Sequence, residues 1–488
     1  MSTVLSSRKN IVVLLSLLTL LLCTVFIGEA APPVPGVHPP RPKAYTPRHE
    51  PVPAPKMPQG TSHAQAGVSV KDFGAVGDGV TDDTEALNAA FSKGGRIVLE
   101  PKRKYHVGRR LYITKSGTEI DMNGSSIISD RGLLMNATPD STARKYSGVS
   151  DIFIHDGELR GMAMGLIHGS NITLRRVSFI NSNGSHSIQI SACNRVTIAE
   201  CRFKGLNKKN ASENTHYEHI NIDPCDYTAF PYLTKGSPTY DGTKNRDITI
   251  DGCTFTRGQG EYNHFDTAIG VHHDDGAGNL HDSVRVVNCR IEGVSKWGVR
   301  LNVCQNSIVE NCTISTQLYA LNTGHTNTRS KNITFRNNTI RMLDKKNVQP
   351  FHIGPFRTEN LSVYGNTFNN EIGQTEPLFR VIALADKGRE MTLHRIQRTP
   401  LASKISGPKI KSVLPLTQLN KLYLEIGGLG KSNLITVSSP KKFRVGEKFS
   451  VLSITPKFAG IVYIADEYTL MMHGLSSGVR MVYGALEQ

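Results

Sequence analysis

The residues best suited to chemistry are a carboxylate, an imidazole and a guanidinium that belong to similar short apolar segments. Asp223 ends the segment 220–223, His272 ends 269–272, and Arg300 lies within 299–301. An imidazole titrates near neutral pH and can act as a base, and a guanidinium stays charged and grips a carboxylate. A neighbouring carboxylate can orient the imidazole or bind a cation. These three groups could therefore perform acid–base chemistry on an anionic substrate.

Each of these segments alternates apolar and polar residues, which is typical of a β-strand with one buried face. If Ile220, Ile269 and Val299 point into a core, their polar neighbours point outward. The outward set predicted in this way is Gln189, Asn221, Asp223, His272, Arg300, Asn302, Asn322 and His352. Neighbouring strands lie about 4.8 Å apart, so strands paired in register would gather these side chains on one wall.

Residues at the strand entrances could bind a substrate. His219 lies at such an entrance beside Glu218, and Lys296 and Trp297 could form a sugar-binding loop. The predicted substrate-binding residues are His219, Asn221, Asn302, Asn322, His352, Lys296 and Trp297.

Additional carboxylates leave a second type of chemistry open. Asp226 follows Asp223 closely, and two carboxylates that flank a glycosidic bond can hydrolyse it. Asp274 and Asp275 could supply the second carboxylate instead, or with His273 form a weak candidate metal site. The predicted catalytic residues are thus Asp223, His272, Arg300 and Asp226.

The elements that position these residues form a repeat between about residues 150 and 370. Period-2 apolar segments recur, and their alignment places eight residues at one equivalent position: Gly157, Val177, Cys201, Cys253, Cys289, Cys312, Asn338 and Asn366. Most steps are 20–28 residues, and the two longer steps must carry large loops. Such short strands bury their apolar face only by stacking, which predicts a right-handed parallel β-helix. The cysteines at the shared position are predicted to be stacked, buried thiols rather than disulfides.

The two ends of the chain differ in composition from this repeat. Arg8 and Lys9 precede an apolar run at 11–28, which predicts a secretory signal cleaved after Ala30, with an uncleaved membrane tether as the alternative. Eleven of the 24 prolines lie within 31–60 and indicate an extended spacer. The predicted organisation is a signal or anchor at 1–30, a Pro-rich linker at 31–67, a β-helix catalytic domain at 68–380 and a small β-rich domain at 381–488. The protein is expected to be secreted, periplasmic or anchored in the cell envelope.

The charge of the chain indicates its partner. Lys and Arg number 57 against 41 Asp and Glu, a formal net charge of +16, which favours an anionic partner. The single Trp and the lack of a basic low-complexity tract argue against nucleic acid. The residues require no cofactor. A need for Ca²⁺ and the oligomeric state, a trimer included, are left open.

A motif at the start of the repeat region resembles a known family. The segment 70–86 contains Asp72-Phe73-Gly74-Ala75, Gly77-Asp78-Gly79 and Thr81-Asp82-Asp83-Thr84. It is similar to the opening motif of the pectate-lyase-like superfamily, which includes phage tailspike depolymerases and exported polysaccharide-degrading enzymes. The resemblance, continued by 95–99 and 105–107, covers about 68–370 with the repeats. It implies an all-β, single-stranded right-handed parallel β-helix. Residues 84–92 are predicted to form a helix that caps its open end, and metal binding by the acidic residues is the alternative.

A second, local resemblance concerns the candidate site. Asp223-Pro224-Cys225-Asp226 resembles the Asp-Pro-His-Asp motif of alginate C5-epimerases, with Cys225 in place of the histidine. The sequence as a whole predicts an exported enzyme that depolymerises an acidic, uronic-acid-containing polysaccharide, by β-elimination as the first choice. Glycoside hydrolysis by paired Asp residues is the first alternative. C5-epimerisation and non-catalytic polysaccharide binding or assembly are the others. Replacement of His272 or Arg300 by Ala is expected to abolish turnover and leave the fold intact, because both side chains are predicted to be exposed.

Overall fold

A computed structural model describes the parts of the chain that form the repeat and several later strands. The described residues are 67–130, 132–207, 217–271, 273–324, 326, 328–344, 351–353, 358–364, 366–369, 379–381, 391–396, 421–428, 431–438, 441–444, 446–452, 459–466, 469–473 and 479–482. They belong to the second of two units into which the chain divides, 65–488. The predicted signal or tether and most of the linker lie outside the described residues. Within the described ranges, no helix is long and apolar enough to cross a membrane.

Helical structure precedes the repeat and interrupts it once. The α-helix spans Thr84–Phe91, where the sequence predicts it, and it buries Leu87, Ala90 and Phe91. Short 3-10 helices span Val70–Phe73 and Gly260–Tyr262. Asp83 accepts hydrogen bonds from the backbone N–H groups of Val76 and Gly77 and so fixes the turn before the helix. That the helix caps the solenoid stays a prediction.

One sheet of ten parallel strands carries most of the predicted site and is called the site sheet. Its strands, in chain order, are β1 Leu111–Tyr112, β2 Leu133–Met135, β3 Ala163–Ile167, β4 His186–Ser191, β5 Glu218–Asp223, β6 Thr267–Val271, β7 Trp297–Leu301, β8 Tyr319–Thr323, β9 Phe351–Ile353 and β10 Phe379–Val381. Each strand pairs with the one before and the one after it, as successive coils of a solenoid do. The predicted β-helix fold is confirmed.

The remaining strands form the other walls and the C-terminal sheets. The parallel strands are Val68–Ser69, Asp78–Asp82, Gly95–Val98, Lys104–His106, Thr118–Asp121, Ser126–Ile128, Ile152–Arg160, Ser170–Asn183, Asn194–Ala199, Arg202–Asn207, Arg246–Asp251, Thr254–Thr256, His281–Val287, Arg290–Val294, Cys304–Glu310, Thr313–Thr316, Ser330–Arg336, Thr339–Met342, Thr358–Tyr364, Thr367–Asn369 and Met391–Ile396. Met391–Ile396 also pairs antiparallel with Thr469–His473, and the strands that follow it pair antiparallel with one another: Lys421–Gly428, Lys431–Ser438, Lys448–Leu452, Ala459–Asp466, Thr469–His473 and Val479–Val482. That these last strands form a separate domain stays a prediction.

The core is a set of ladders in which like residues stack from coil to coil. In the site sheet, Ile188, Ile220, Ile269, Val299 and Leu321 are paired in sequence and fully buried. Burial of each such side chain stabilises the fold by about 1.5–3 kcal/mol relative to exposure.

A second ladder confirms the repeat alignment. The backbone N–H of Cys289 lies 3.4 Å from Sγ of Cys312, and that of Cys312 donates to Oδ1 of Asn338 at 3.0 Å. The backbone N–H of Asn338 in turn donates to Oδ1 of Asn366 at 3.0 Å. The seven cysteines among the described residues are all buried and none forms a disulfide, as the predicted ladder of thiols requires.

Candidate active site

The register of the site sheet brings three of the predicted segments side by side. Asn221 of β5 pairs with Gly270 of β6, and Gly270 pairs with Arg300 of β7. The strands are therefore neighbouring coils, as predicted. Arg300 lies in the row of Asn221, however, and not in that of Asp223 two residues later. His272, which follows β6, lies outside the described residues.

The alternation of inward and outward residues fails at the strand entrances. His219 and Ile220 are consecutive in β5, yet both face the apolar interior. The His219 ring lies 5.0 Å from the ring of Phe265 and 5.7 Å from that of Phe203, and its Nδ1 is 2.9 Å from Oγ of Ser187. Burial lowers the pKa of His219 to about 3, so the imidazole is neutral. The expectation that His219 faces a substrate is wrong.

Because two residues face inward at this point, Glu218 takes the opposite face. Its Oε2 accepts a hydrogen bond from Nδ2 of Asn221 at 2.6 Å, and its Oε1 lies 3.6 Å from Nη1 of Arg300. The carboxylate lies over Gly270, where a Cβ would approach Oε2 to 2.5 Å and Oε1 more closely. A glycine in a strand often marks such a close approach. Gly270 is thus the sequence signal that could have placed Glu218 in the site.

Arg300 is buried in this network rather than exposed. Its guanidinium carbon lies 4.2 Å from the centre of the Trp297 ring, a cation–π contact. The residue is only 6% exposed. Burial lowers the pKa of Arg300, and the carboxylates of Glu218 and Asp223 oppose that shift. The prediction that the Arg300 side chain is exposed is therefore wrong, although its guanidinium does lie near the carboxylates of Glu218 and Asp223.

The other predicted substrate-binding residues are placed unevenly. Asn302 and Asn322 are buried, and Nδ2 of Asn302 donates to Oδ1 of Asn322 at 2.9 Å. Lys296 keeps about a third of its side chain exposed and pairs with Asp266 at 3.0 Å. The side chain of His352 lies outside the described residues. Lys296 and Trp297 are both partly exposed, and their predicted role as a sugar-binding loop stays a prediction.

An acid–base cluster lies just beyond the ends of β5 and β6. Oδ1 of Asp223 accepts from the backbone N–H of His273 at 3.2 Å, and Nε2 of His273 lies 2.9 Å from Oδ2 of Asp226. The hydrogen bond to Asp226 raises the pKa of His273, and the charge of Asp223 adds to this effect. Asp226 and His273 are each a little over a quarter exposed. The imidazole of His273 therefore pairs with one carboxylate, that of Asp226, at a position that solvent can reach, and Asp223 holds the backbone of the same residue.

Asp274 and Asp275 hold the loop that carries this cluster. Asp274 accepts from the backbone N–H of Thr328 at 2.6 Å and from its hydroxyl at 2.7 Å. Asp275 pairs with Lys244 at 2.7 Å, and the Lys244 side chain is only 6% exposed. These contacts give both carboxylates a structural role. Their predicted part in a metal site stays a prediction.

A polar groove of about 760 Å³ adjoins this loop. Its lining includes Lys244, Arg246, Arg329 and Lys331, against the carboxylate of Asp241. It lies beside the acid–base cluster, because Lys244 contacts Asp275 and Thr328, which also lines the groove, contacts Asp274. Cationic side chains at such a groove favour an anionic ligand. Sequence reasoning missed the groove, because part of its lining, such as Lys244 and Arg329, comes from loops outside the repeated strands.

The comparisons with known proteins agree with the fold. Residues 67–120 match a family model described as Rhamnogalacturonase A/epimerase, pectate lyase-like. The predicted superfamily resemblance is confirmed. The chain is also similar to the solved structure of PfbA, a surface adhesin of Streptococcus pneumoniae, with a TM-score of 0.56 and 18% identity over 77% of this chain and 99% of that one. At this identity the likeness shows the shared β-helix fold alone.

Two curated relatives show the range of activities around this fold. Plasmin and fibronectin-binding protein A of Streptococcus pneumoniae is 26% identical over 271 residues, which is 48% of this chain and 37% of the relative. Alginate lyase 7 of Azotobacter vinelandii is 32% identical over 140 residues, 22% of this chain and 16% of the relative. The chain thus spans well under half the length of these relatives. One relative is named as an alginate lyase and the other as a plasmin- and fibronectin-binding protein.

Proposed function

We propose that this protein acts on an acidic polysaccharide outside the cell, with proton transfer at the cluster of Asp223, Asp226 and His273. The observation that carries the proposal is the location of this cluster beside a groove lined by four cationic side chains. The groove offers charge for an anionic polymer, and the cluster offers groups that exchange protons. The net charge of +16 supports the same substrate class.

The preferred reaction is β-elimination. A base removes the C5 proton of a uronic acid, the electron pair forms the C4–C5 double bond, and the bond from C4 to the glycosidic oxygen breaks as that oxygen takes a proton. His273 is the base in its neutral form, and Asp226 orients it. The uronate carboxylate requires a cation close by. Arg246 and Arg329 of the groove suit that role better than Arg300, whose guanidinium is buried against Glu218 and Trp297.

Glycoside hydrolysis is the second candidate. Asp223 and Asp226 both contact His273, so two carboxylates flank one residue. Hydrolysis requires one carboxylic acid and one carboxylate near the bond that breaks. The pKa of Asp226 is lowered, because its hydrogen bonds with His273 and with backbone N–H groups outweigh the opposing effect of burial. A protonated Asp226 is therefore disfavoured, which counts against this reaction.

Binding without turnover is the third candidate, and the similarity to the plasmin- and fibronectin-binding relative favours it. One experiment separates the three. The purified protein is incubated with a panel of acidic polysaccharides, and products are measured as unsaturated ends by ultraviolet absorption and as reducing ends. A lyase produces both signals and a hydrolase produces reducing ends only. A binder produces neither and still retains polymer on an affinity gel.

Variants connect the reaction to the cluster. His273→Gln should reduce turnover by about 100-fold or more, since a positioned base contributes about that much. His155→Gln is the matched control, because His155 also pairs with a neighbouring carboxylate, Asp156 at 2.7 Å, but lies on the strand Ile152–Arg160 outside the site sheet. Normal turnover by a folded His273→Gln protein would remove the cluster from the mechanism.

A further inference from the structure

Three potential metal ligands converge under the long excursion that follows β5. His168 comes just after β3, Cys225 lies two residues after β5, and Asp241 lies near the end of the excursion. Their ligand atoms all lie within 4.8 Å of one another. His168 and Cys225 are completely buried, and Asp241 is partly buried. None of the three belongs to the acid–base cluster described above.

The orientation of His168 is the second observation. Its Nδ1 lies 2.5 Å from the carbonyl oxygen of Lys145, which accepts a hydrogen bond from the Nδ1–H group. In a neutral imidazole Nε2 then carries a lone pair. That nitrogen lies 2.8 Å from the carbonyl oxygen of Thr239 and 3.2 Å from Sγ of Cys225. Two acceptors that face each other in a buried site need a proton or a cation between them.

We propose that His168, Cys225 and Asp241, with the carbonyl oxygen of Thr239, bind a zinc ion. Nitrogen, thiolate and carboxylate ligands in a four-coordinate set suit Zn²⁺. The carbonyl of Lys145 would act as the outer partner that metal-bound histidines commonly have. On binding, the thiol of Cys225 loses its proton to solvent and its sulfur bonds the metal as thiolate.

The distances are compatible with this ion. Sγ of Cys225 also lies 3.1 Å from the Thr239 oxygen. Ligand bonds of about 2.0–2.3 Å at tetrahedral angles separate ligand atoms by about 3.3–3.6 Å. The three atoms of Cys225, His168 and Thr239 therefore have to move apart by only a few tenths of an ångström.

The location gives the ion a structural role. The backbone N–H of Cys225 donates to the carbonyl of Thr243 at 3.1 Å, and the N–H of Gly242 donates to the carbonyl of Cys225 at 2.9 Å. These bonds close the base of the 226–241 excursion, which carries Asp226. Zinc at this base would fix the excursion to the coil of β3 and thereby the position of Asp226.

The test uses the full chain after removal of metal with a chelator. Zn²⁺ is titrated by calorimetry, and Co²⁺ is then substituted to record the near-ultraviolet charge-transfer band of a cobalt–thiolate bond. We expect one zinc ion per chain, the thiolate band and a higher Tm with zinc. Cys225→Ser should abolish the band and weaken zinc binding by more than about 100-fold. Cys304→Ser, which removes another buried thiol, should change neither.

Three results would overturn the proposal. They are zinc binding no tighter than that of Cys225→Ser, a cobalt spectrum without the thiolate band, and a His168 ring protonated on both nitrogens in zinc-containing buffer, as judged by NMR. The cobalt spectrum and the NMR measurement use the unmodified chain. The proposal therefore remains testable if Cys225→Ser does not fold.

Discussion

Replacement of Gly270 by alanine tests the placement of Glu218 on the site sheet. The new methyl group would lie 2.5 Å from Oε2 of Glu218 and still closer to Oε1. Ordinary contact begins near 3.4 Å, so the carboxylate has to move by about an ångström. It cannot move freely, because it is fully buried and bonded to Asn221 at 2.6 Å.

The expected cost follows from these contacts. Forcing an extra methyl group into a packed site costs about 1–3 kcal/mol. Loss of a hydrogen bond to a charged group adds about 1.5–3 kcal/mol. We therefore expect Gly270→Ala to lower the free energy of unfolding by about 2.5–6 kcal/mol. Loss of the pairing with Arg300 would increase this value further.

The measurement is equilibrium unfolding in urea, read as a change in midpoint at constant slope. Gly165→Ala is the matched control. Gly165 lies in the same row of the site sheet, and its new methyl group would meet the edge of Phe230 at 3.1 Å. A ring edge can shift by a few tenths of an ångström, so this variant should cost less. If Gly270→Ala costs no more than Gly165→Ala, the carboxylate of Glu218 does not lie where we describe it.

Three further variants test other parts of the structure. Asp226→Asn should lower the pKa of His273, measured by NMR titration, and an unchanged pKa would disprove the pairing. Because the pKa of His273 is raised in the folded protein, the pair stabilises the fold at low pH, and this stabilisation is lost as the pH rises through the pKa of the folded His273. In the unmodified protein, His219 should make the free energy of unfolding fall by about 1.4 kcal/mol per pH unit as the pH drops below 6.5, because the unfolded chain binds a proton that the folded His219 accepts only near pH 3. His219→Phe should remove this contribution, measured by urea unfolding at several pH values. If His219 were exposed, the variant would show the same dependence of unfolding free energy on pH as the unmodified protein. Lys331→Ala should raise KM for an anionic polymer several-fold at low salt and less at high salt, whereas exposed Lys102→Ala should not; equal effects would disconnect the groove from binding.

The features predicted correctly from sequence depend on repetition. The ladder that contains Cys289, Cys312, Asn338 and Asn366 was aligned by spacing alone, and the structure joins these residues by hydrogen bonds from coil to coil. Each coil has to bury the same kind of apolar face, so a wrong alignment of one coil would place its polar residues against the apolar residues of the neighbouring coils. The neighbouring positions of β5, β6 and β7 follow from the same constraint.

The candidate site was harder to predict because it depends on departures from the repeat. Strict alternation places the His219 side chain outward. In β5, however, His219 and Ile220 both face the interior, and Glu218 lies on the polar face with Asn221. The groove beside Lys244 combines strand residues, such as Arg246 and Lys331, with residues of loops that differ from coil to coil. Period-2 patterns carry no information about such loops. Gly270 is an exception, since its missing side chain marks the place that Glu218 occupies.

The burial of Arg300 changes how its variants have to be interpreted. Arg300→Ala leaves the carboxylate of Glu218 buried without its cation, and removal of one partner of a buried pair costs about 3–5 kcal/mol. Loss of activity in this variant would therefore not identify a catalytic residue, contrary to the expectation from sequence that the fold stays intact. Replacing both partners, as Glu218→Gln with Arg300→Met, removes the uncompensated charge and should recover most of the stability. A stable double variant that retains turnover would make the pair structural, whereas a stable, inactive one would return Arg300 to the mechanism.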